Sequence, residues 1–241
     1  MISGNYNYQF IDWKHDPIED EDFKHVGTMS THLITPTLTI GLSNYINMSY
    51  QQTIGIRTMN WLGEGISAHH RDENTLSDFT NAIGNAFGDG KISFKYLLTN
   101  TGMQPGSRFF LGGGLTIPSK SVLTKNPFLD EDENGITDEE HRHFSLSDGC
   151  YKTNFELQYY IKKNSKIWFD PAFLGITFNY TKPIKESQYG YLKGASYSTI
   201  GSILFSMQSK NNWMPKGISL GLSYLKTEKS FWGDYIEPNS E

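Results

Sequence analysis

Between residues 126 and 143 the chain reads NPFLDEDENGITDEEHRH, which sets seven carboxylates and two histidines around one glycine. Side chains of these types hold metal ions, and their spacing says which ion fits. Asp130, Asp132, Asn134 and Gly135 match the first half of an EF-hand loop, in which alternating oxygens wrap a hard cation and the glycine permits the sharp turn. The second half departs from that pattern. The bidentate Glu expected six residues after the glycine is His141, and Glu140 lies one position early. Three alternatives stand: a free-standing Ca²⁺ loop drawing on Asp130, Asp132, Asn134, Asp138 and Glu140, a Zn²⁺ or Cu²⁺ site using His141 and His143, or a solvated acidic segment. A transition-metal site could recruit His69, His70, Asp72 and Glu73, although no structural zinc spacing is present.

Which alternative holds depends on the elements that carry the segment, and these read as β-strands. In GISLGLSYL, Ile218, Leu220, Leu222 and Tyr224 share one face while Gly217, Ser219, Gly221 and Ser223 share the other. That is the period of a strand with one apolar and one small, polar face. The same alternation runs through NMSYQQTIGIRT, KISFKYLL and TNFELQYYIK. It predicts nine strands, near residues 3–12, 27–42, 47–59, 88–98, 108–118, 150–162, 166–180, 195–208 and 216–226. Many are about ten residues or longer, which suits membrane-crossing β-strands of about 9 to 11 residues better than ordinary strands of about 5 to 6. Long polar links alternate with short ones rich in turn residues, so an antiparallel meander places every long link, including 119–149, at one end.

Composition narrows the classes. Over 241 residues the formal net charge is −5, and no basic run gives nucleic acid a footing. Aromatic residues make up 14%, with 23 glycines, in a chain whose mean hydropathy is only −0.49. No stretch is long and apolar enough for a membrane helix, whereas a barrel strand turns only every second residue to lipid. Cys150, the single cysteine, has no partner for an internal disulfide. There is no G-x-S-x-G, H-E-x-x-H or P-loop, so the chain is expected not to be an enzyme.

The expected fold is all-β, a single domain over 1–241 forming an antiparallel up-and-down transmembrane β-barrel of about 10 to 12 strands when complete. Membrane lipid meets the apolar face, and the small, polar face lines a lumen. Arg57, Lys91, Lys95, Arg108 and Glu156 fall on the lumen side, where charged residues set solute preference. Tyr6, Tyr8, Trp61, Trp168 and Trp213 are candidates for aromatic belts at the membrane surfaces. Single-chain bacterial barrels close with an even number of strands. An odd count of nine, with a polar stretch FWGDYIEPNSE after the last strand and no secretory signal at MISGNYNYQF, leads to the expectation of a longer precursor. The alternative is a soluble or surface β protein that binds Ca²⁺ or a ligand through its long loops.

Several segments also resemble a known family. FGDGKISFKYLL (87–98) followed by RFFLGGGLTIPSK (108–120) is similar to the Gly-Asp strand and the glycine-rich strand of outer-membrane transporters of the phenol meta-degradation pathway type. HRHFSLSDGCY (141–151) and YGYLKGASYS (189–198) resemble later strand entries in related barrels. Ser119-Lys120 stands where Thr-Gly is more typical after the proline. The resemblance spans about residues 85–210. It implies a bacterial outer-membrane channel or transporter for small, hydrophobic or aromatic solutes, and it assigns no catalytic residues.

Overall fold

The computed structural model describes residues 1–15, 23–64, 72–74, 82–84, 86–99, 101–102, 104–126, 145–164, 170–206, 213, 215, 217–237 and 240. In chain order the strands are β1 (Ile2–His15), β2 (His25–Gly41), β3 (Ile46–Trp61), β4 (Glu73–Asn74), β5 (Ala82–Ile83), β6 (Phe87–Thr99), β7 (Gly106–Ile117), β8 (Val122–Leu123), β9 (Lys152–Lys162), β10 (Pro171–Pro183), β11 (Tyr191–Leu192), β12 (Ser196–Ser206), β13 (Gly217–Thr227), β14 (Phe231–Trp232) and β15 (Tyr235–Ile236). Among the described residues there is no helix. All nine strands read from the alternation are present, each spanning 11 to 17 residues.

These nine form one antiparallel sheet in the order β1-β2-β3-β6-β7-β9-β10-β12-β13, with β4 attached to β3, and the sheet curls into a half-barrel. Its outermost strands, β1 and β13, share no ladder. Successive long strands pair with their sequence neighbours, so the short links cluster at one end and the long links at the other, as the link lengths predict. The short links are built for reversal. Ser43 Oγ accepts from the Tyr45 and Ile46 amides at 3.1 and 3.0 Å, and Gly102 and Gly106 adopt φ of 60° and 139°, which side-chain-bearing residues rarely reach.

The ladders are staggered. From Thr39, whose amide donates to Met1 O, one line of paired residues runs through Ser49, Ser93, Gly114, Asn154, Thr181 and Ser196 to Thr227. It begins beside the first residue of the chain and ends at the last residue of β13. At about 3.3 Å per residue and about 4.8 Å between strands, a climb of one strand length over the sheet's width is a tilt of about 40°, the slant of a barrel wall.

The two faces differ sharply. One carries Ile34, Leu38, Tyr50, Phe94, Tyr96, Phe155, Tyr159, Ile176 and the outward residues of β13, all exposed. The other carries mostly hydroxyls, amides, charges and glycines and is half-buried or buried across the middle of the sheet, as at Thr31, Thr116, Gly88 and Gly112, while along the outermost strand β13 it is exposed. Side chains from β6 and β9 meet over the intervening β7 on this second face, at Lys95–Glu156 and Lys152–Asp89, which marks it as concave. Of the six buried hydrophobic residues among the described ones, only Met59 belongs to the nine-stranded sheet; Val122, Cys150, Tyr191, Ala195 and Trp232 lie elsewhere.

Three of those five, Cys150, Tyr191 and Trp232, form a second packing centre at the long-link end. There β11, β14 and β15 form a three-stranded sheet, and β5 pairs with β8. Cys150, Tyr191 and Trp232 pack together with Leu123, Tyr189 and Tyr235 around them. We refer to this assembly of link segments as the cap.

Candidate functional site

The cap coheres because its short segments satisfy their backbone groups with serine side chains. Ser187 Oγ accepts from the Tyr189 and Tyr191 amides at 3.2 and 3.1 Å, Ser230 Oγ from Gly194 N at 3.1 Å, and Ser121 Oγ from Leu146 N at 3.3 Å. Ser121, Ser187 and Ser230 are buried, where an unmet hydroxyl or amide is costly. The Tyr191 and Trp232 rings lie 5.0 Å apart, and Tyr191 Oη donates to Glu237 Oε2 at 2.7 Å. Burial, together with this carboxylate acceptor, raises the Tyr191 phenol well above its ordinary range. Burial likewise pushes the Cys150 thiol up, and its Sγ donates to Tyr191 O at 3.2 Å. Cys150 is thereby a packed, protonated side chain rather than a nucleophile.

Between cap and wall lies a cavity of about 410 Å³ lined by Arg57, Asp89, Asp148, Lys152, Lys193 and Glu237, together with Tyr191, Trp232 and residues 145–147. Its wall residues come from β3, β6 and β9, while Trp232 and Glu237 follow β13, so the cap reaches across the mouth of the half-barrel. Two polar ties anchor it. Arg57 Nη1 donates to Ser145 O at 3.0 Å while its Nε donates to Thr31 Oγ1 at 3.3 Å. Lys152 Nζ sits between Asp89 Oδ2 at 3.1 Å and Asp148 Oδ2 at 2.7 Å. The carboxylates are themselves held, Asp89 by Ser119 N at 3.3 Å and Asp148 by Cys150 N at 3.0 Å.

Farther along the concave face, Lys95 Nζ pairs with Glu156 Oε1 at 3.0 Å, and Gln158 Nε2 donates to the same oxygen. Lys91, Asn154, Asn179 and Thr181 border the adjoining hollow of about 60 Å³. A hydroxyl and amide track continues it, with Thr39 Oγ1 to Ser49 Oγ at 2.9 Å, Asn154 Nδ2 to Thr116 Oγ1 at 2.9 Å and Thr181 Oγ1 to Asn154 Oδ1 at 3.0 Å. At the short-link end the same face becomes aromatic, with Tyr160 stacked on Phe173 at 5.3 Å and edge-on to Phe110 at 6.1 Å.

The five charged residues assigned to a lumen by alternation therefore separate by role. Lys91, Lys95 and Glu156 occupy the middle of the concave face, and Arg57 ties the cap to the wall. Arg108 shares the face through its register partner Tyr160, but its guanidinium donates to Gly102 O and, at 3.2 Å, to Gln104 O, so it fastens a turn. Asp89, Asp148, Lys152, Lys193 and Glu237 were not singled out by sequence. They are contributed by strand ends and links up to 148 positions apart in number, and only the alternation placing Asp89 and Lys152 inward signals any of them.

Of the metal candidates, Asp130, Asp132, Asn134, Asp138, Glu140, His141 and His143 lie outside the described residues, as do His69 and His70. Asp72 is described, and its Oδ1 accepts from Trp61 N at 2.8 Å. Among the described residues no three His, Cys, Asp or Glu side chains gather as a metal centre. Of the aromatic belt candidates, Tyr6 and Tyr8 are exposed on the outward face beside His32. Trp61 instead packs against Trp13, Phe23 and buried His25, and Trp168 is outside the described residues. Compared with protein-family models and with curated proteins, the chain matches none.

Proposed function

We propose that this protein is a channel or transporter of the bacterial outer membrane, passing small solutes along the concave face of its sheet and past the cap. One observation carries the proposal: among the described residues the large sheet buries a single hydrophobic residue, Met59, while the side chains of its apolar face are exposed or half-exposed. A water-soluble protein of this size buries such residues against another layer, because contiguous exposed apolar surface is costly in water. Hydrocarbon is the solvent in which this face costs nothing, and a tilt of about 40° fits strands that cross it.

On the concave face a solute meets three zones. The rings of Phe110, Tyr160 and Phe173 offer apolar contact at the short-link end. The Lys95–Glu156 pair and its amide and hydroxyl neighbours supply hydrogen bonds without net charge. The cap cavity, with balanced cations and carboxylates, forms the constriction. An aromatic entrance and a hydrogen-bonding track suit small hydrophobic or aromatic solutes bearing polar groups, which agrees with the resemblance to phenol meta-pathway transporters. No covalent chemistry is called for. Passage depends on weak, successive contacts that let the solute enter and leave. Reconstitution into planar bilayers tests the proposal: the folded protein should partition into detergent and give discrete conductance steps. A protein that stays soluble in detergent-free buffer and conducts nothing would overturn it.

A further inference from the structure

The concave face carries a surplus of positive charge in a chain that is acidic as a whole. Along the nine long strands its side chains include Arg57, Lys91, Lys95, Arg108, Lys152 and Lys162 against only Asp89 and Glu156, as the strand registers and the two ion pairs place them. The formal net charge of the chain is −5, so the surplus belongs to this face and not to the composition. Two of the charges at its middle cancel: Lys95 Nζ pairs with Glu156 Oε1 at 3.0 Å, and that oxygen also accepts from Gln158. Lys91 is left over. It stands four residues nearer the cap on the same strand, about 13 Å from Lys95 at about 3.3 Å per residue. Half-buried, its ammonium makes no hydrogen bond or ion pair with any described residue. Such a group is costly without an acceptor. The hollow of about 60 Å³ beside it is bordered by Ser93, Asn154, Asn179 and Thr181, with Glu156 as its acidic neighbour. Asn154 and Asn179 each commit one amide hydrogen, to Thr116 and Ser198, and keep a second to donate. Donors thus surround one uncompensated cation, which is the complement of an oxyanion.

We infer that the solutes passed along this face are small organic carboxylates, and that Lys91 is where their carboxylate group binds. The inference rests on the channel reading above and gives the solute its charge. Three features select it. The hollow admits the few atoms of a carboxylate but no ring, so the body of the solute stays on the open face. A single uncompensated ammonium matches a monoanion, whereas a phosphate dianion would keep a charge unmatched. Toward the short-link end, Lys95 and then Arg108 follow at further steps of about 13 Å, the second beside the rings of Phe110 and Tyr160. An aromatic carboxylate entering there meets apolar contact for its ring and a positive charge at each stage for its anion. Walls lined by one sign of charge concentrate the opposite ion, and basic side chains select anions in pores.

Planar-bilayer recordings of the reconstituted protein test this, with benzoate as the probe and benzamide, its uncharged counterpart, as the control. Across a KCl gradient the parent's reversal potential should lie on the chloride side. Benzoate should reduce the chloride current saturably, while benzamide at the same concentration leaves it unchanged. In Lys91→Gln the half-blocking benzoate concentration should rise about tenfold or more, as for loss of a hydrogen bond to a charged group, and Lys91→Arg should hold it within about threefold of the parent. A conductance that prefers potassium, or a parent that responds alike to benzoate and benzamide, overturns the inference and leaves the channel reading standing. So does a Lys91→Gln channel blocked at the parent's benzoate concentration, or a Lys91→Arg channel no more sensitive than Lys91→Gln. The two parent measurements need no variant, so they decide the matter even where Lys91→Gln fails to insert. A protein that stays soluble and conducts nothing overturns the channel reading and the inference together.

Discussion

Lys152→Met should loosen the cap more than any other single change on the concave face. The ammonium lies 2.7 Å from Asp148 and 3.1 Å from Asp89, and the three side chains are only 15 to 19% exposed. Methionine keeps the stem's packing but strands two half-buried carboxylates, held then by the amides of Ser119 and Cys150 respectively. Breaking a buried pair costs about 3–5 kcal/mol and an exposed one about 0–1 kcal/mol, so two mostly buried pairs place the loss at about 2–4 kcal/mol. The loss falls on the cap, because Asp148 belongs to it while Asp89 and Lys152 belong to the wall. Trp232 fluorescence during thermal unfolding of the reconstituted protein should report a lowered cap transition, with the heat-modifiable gel shift of the barrel less affected. Adding Asp148→Asn should recover about half of the loss by removing one orphaned charge. A Lys152→Met protein whose cap melts within about 0.5 kcal/mol of the parent would refute the assignment of Lys152 as the tie.

Other consequences are open to direct test. Glu156→Gln leaves Lys95 without its counter-charge, so, if the proposed conduction holds, the reversal potential of the reconstituted protein should shift toward anion preference; an unchanged potential would place the pair off the proposed solute path. At Gly194 an added Cβ would fall inside the backbone of Glu228, so Gly194→Ala should destabilise the cap by about 1–3 kcal/mol, read by the Trp232 signal. Tyr191 keeps its proton in the folded cap above the pH of about 10 at which an unfolded tyrosine ionises. Cap stability should therefore be intact below about pH 10 and fall as pH rises beyond it, and Tyr191→Phe should flatten that dependence.

Period-two alternation carried most of the fold. It is legible in β3, β6, β9 and β13 because each runs for 11 residues or more with one face exposed, and a strand that long repeats its pattern five times over. Boundaries moved by a few residues where the ladder continues beyond the alternating run, as at Trp13 to His15 of β1 and His25 and Val26 of β2. The cap left no such trace. Its strands β8, β11, β14 and β15 have two residues each, too few for any period, and Cys150, Tyr191 and Trp232 meet from three separate links. The Asp89–Lys152–Asp148 tie was equally hidden, since Asp89 and Lys152 stand 63 positions apart and meet only once β7 is folded between them. Arg108 and Trp61 show the limit of reading position alone: parity gives the face, but the turn carbonyls claim the guanidinium and the Trp13–His25 cluster claims the indole.

The central claim is that the exposed face of the sheet meets lipid, and neighbouring residues on one strand test it. Ile176 on β10 points to that face and is 49% exposed, whereas Thr177 points to the concave face, where its hydroxyl reaches Tyr160 Oη at 3.3 Å. Spin labels at Ile176→Cys and Thr177→Cys, in a Cys150→Ala protein reconstituted in vesicles, can be relaxed by oxygen, which concentrates in hydrocarbon, or by a water-soluble nickel chelate. Lipid contact on the apolar face requires oxygen-dominated relaxation at position 176 and nickel-dominated relaxation at position 177. Nickel access at both positions, or the two profiles exchanged, would contradict it.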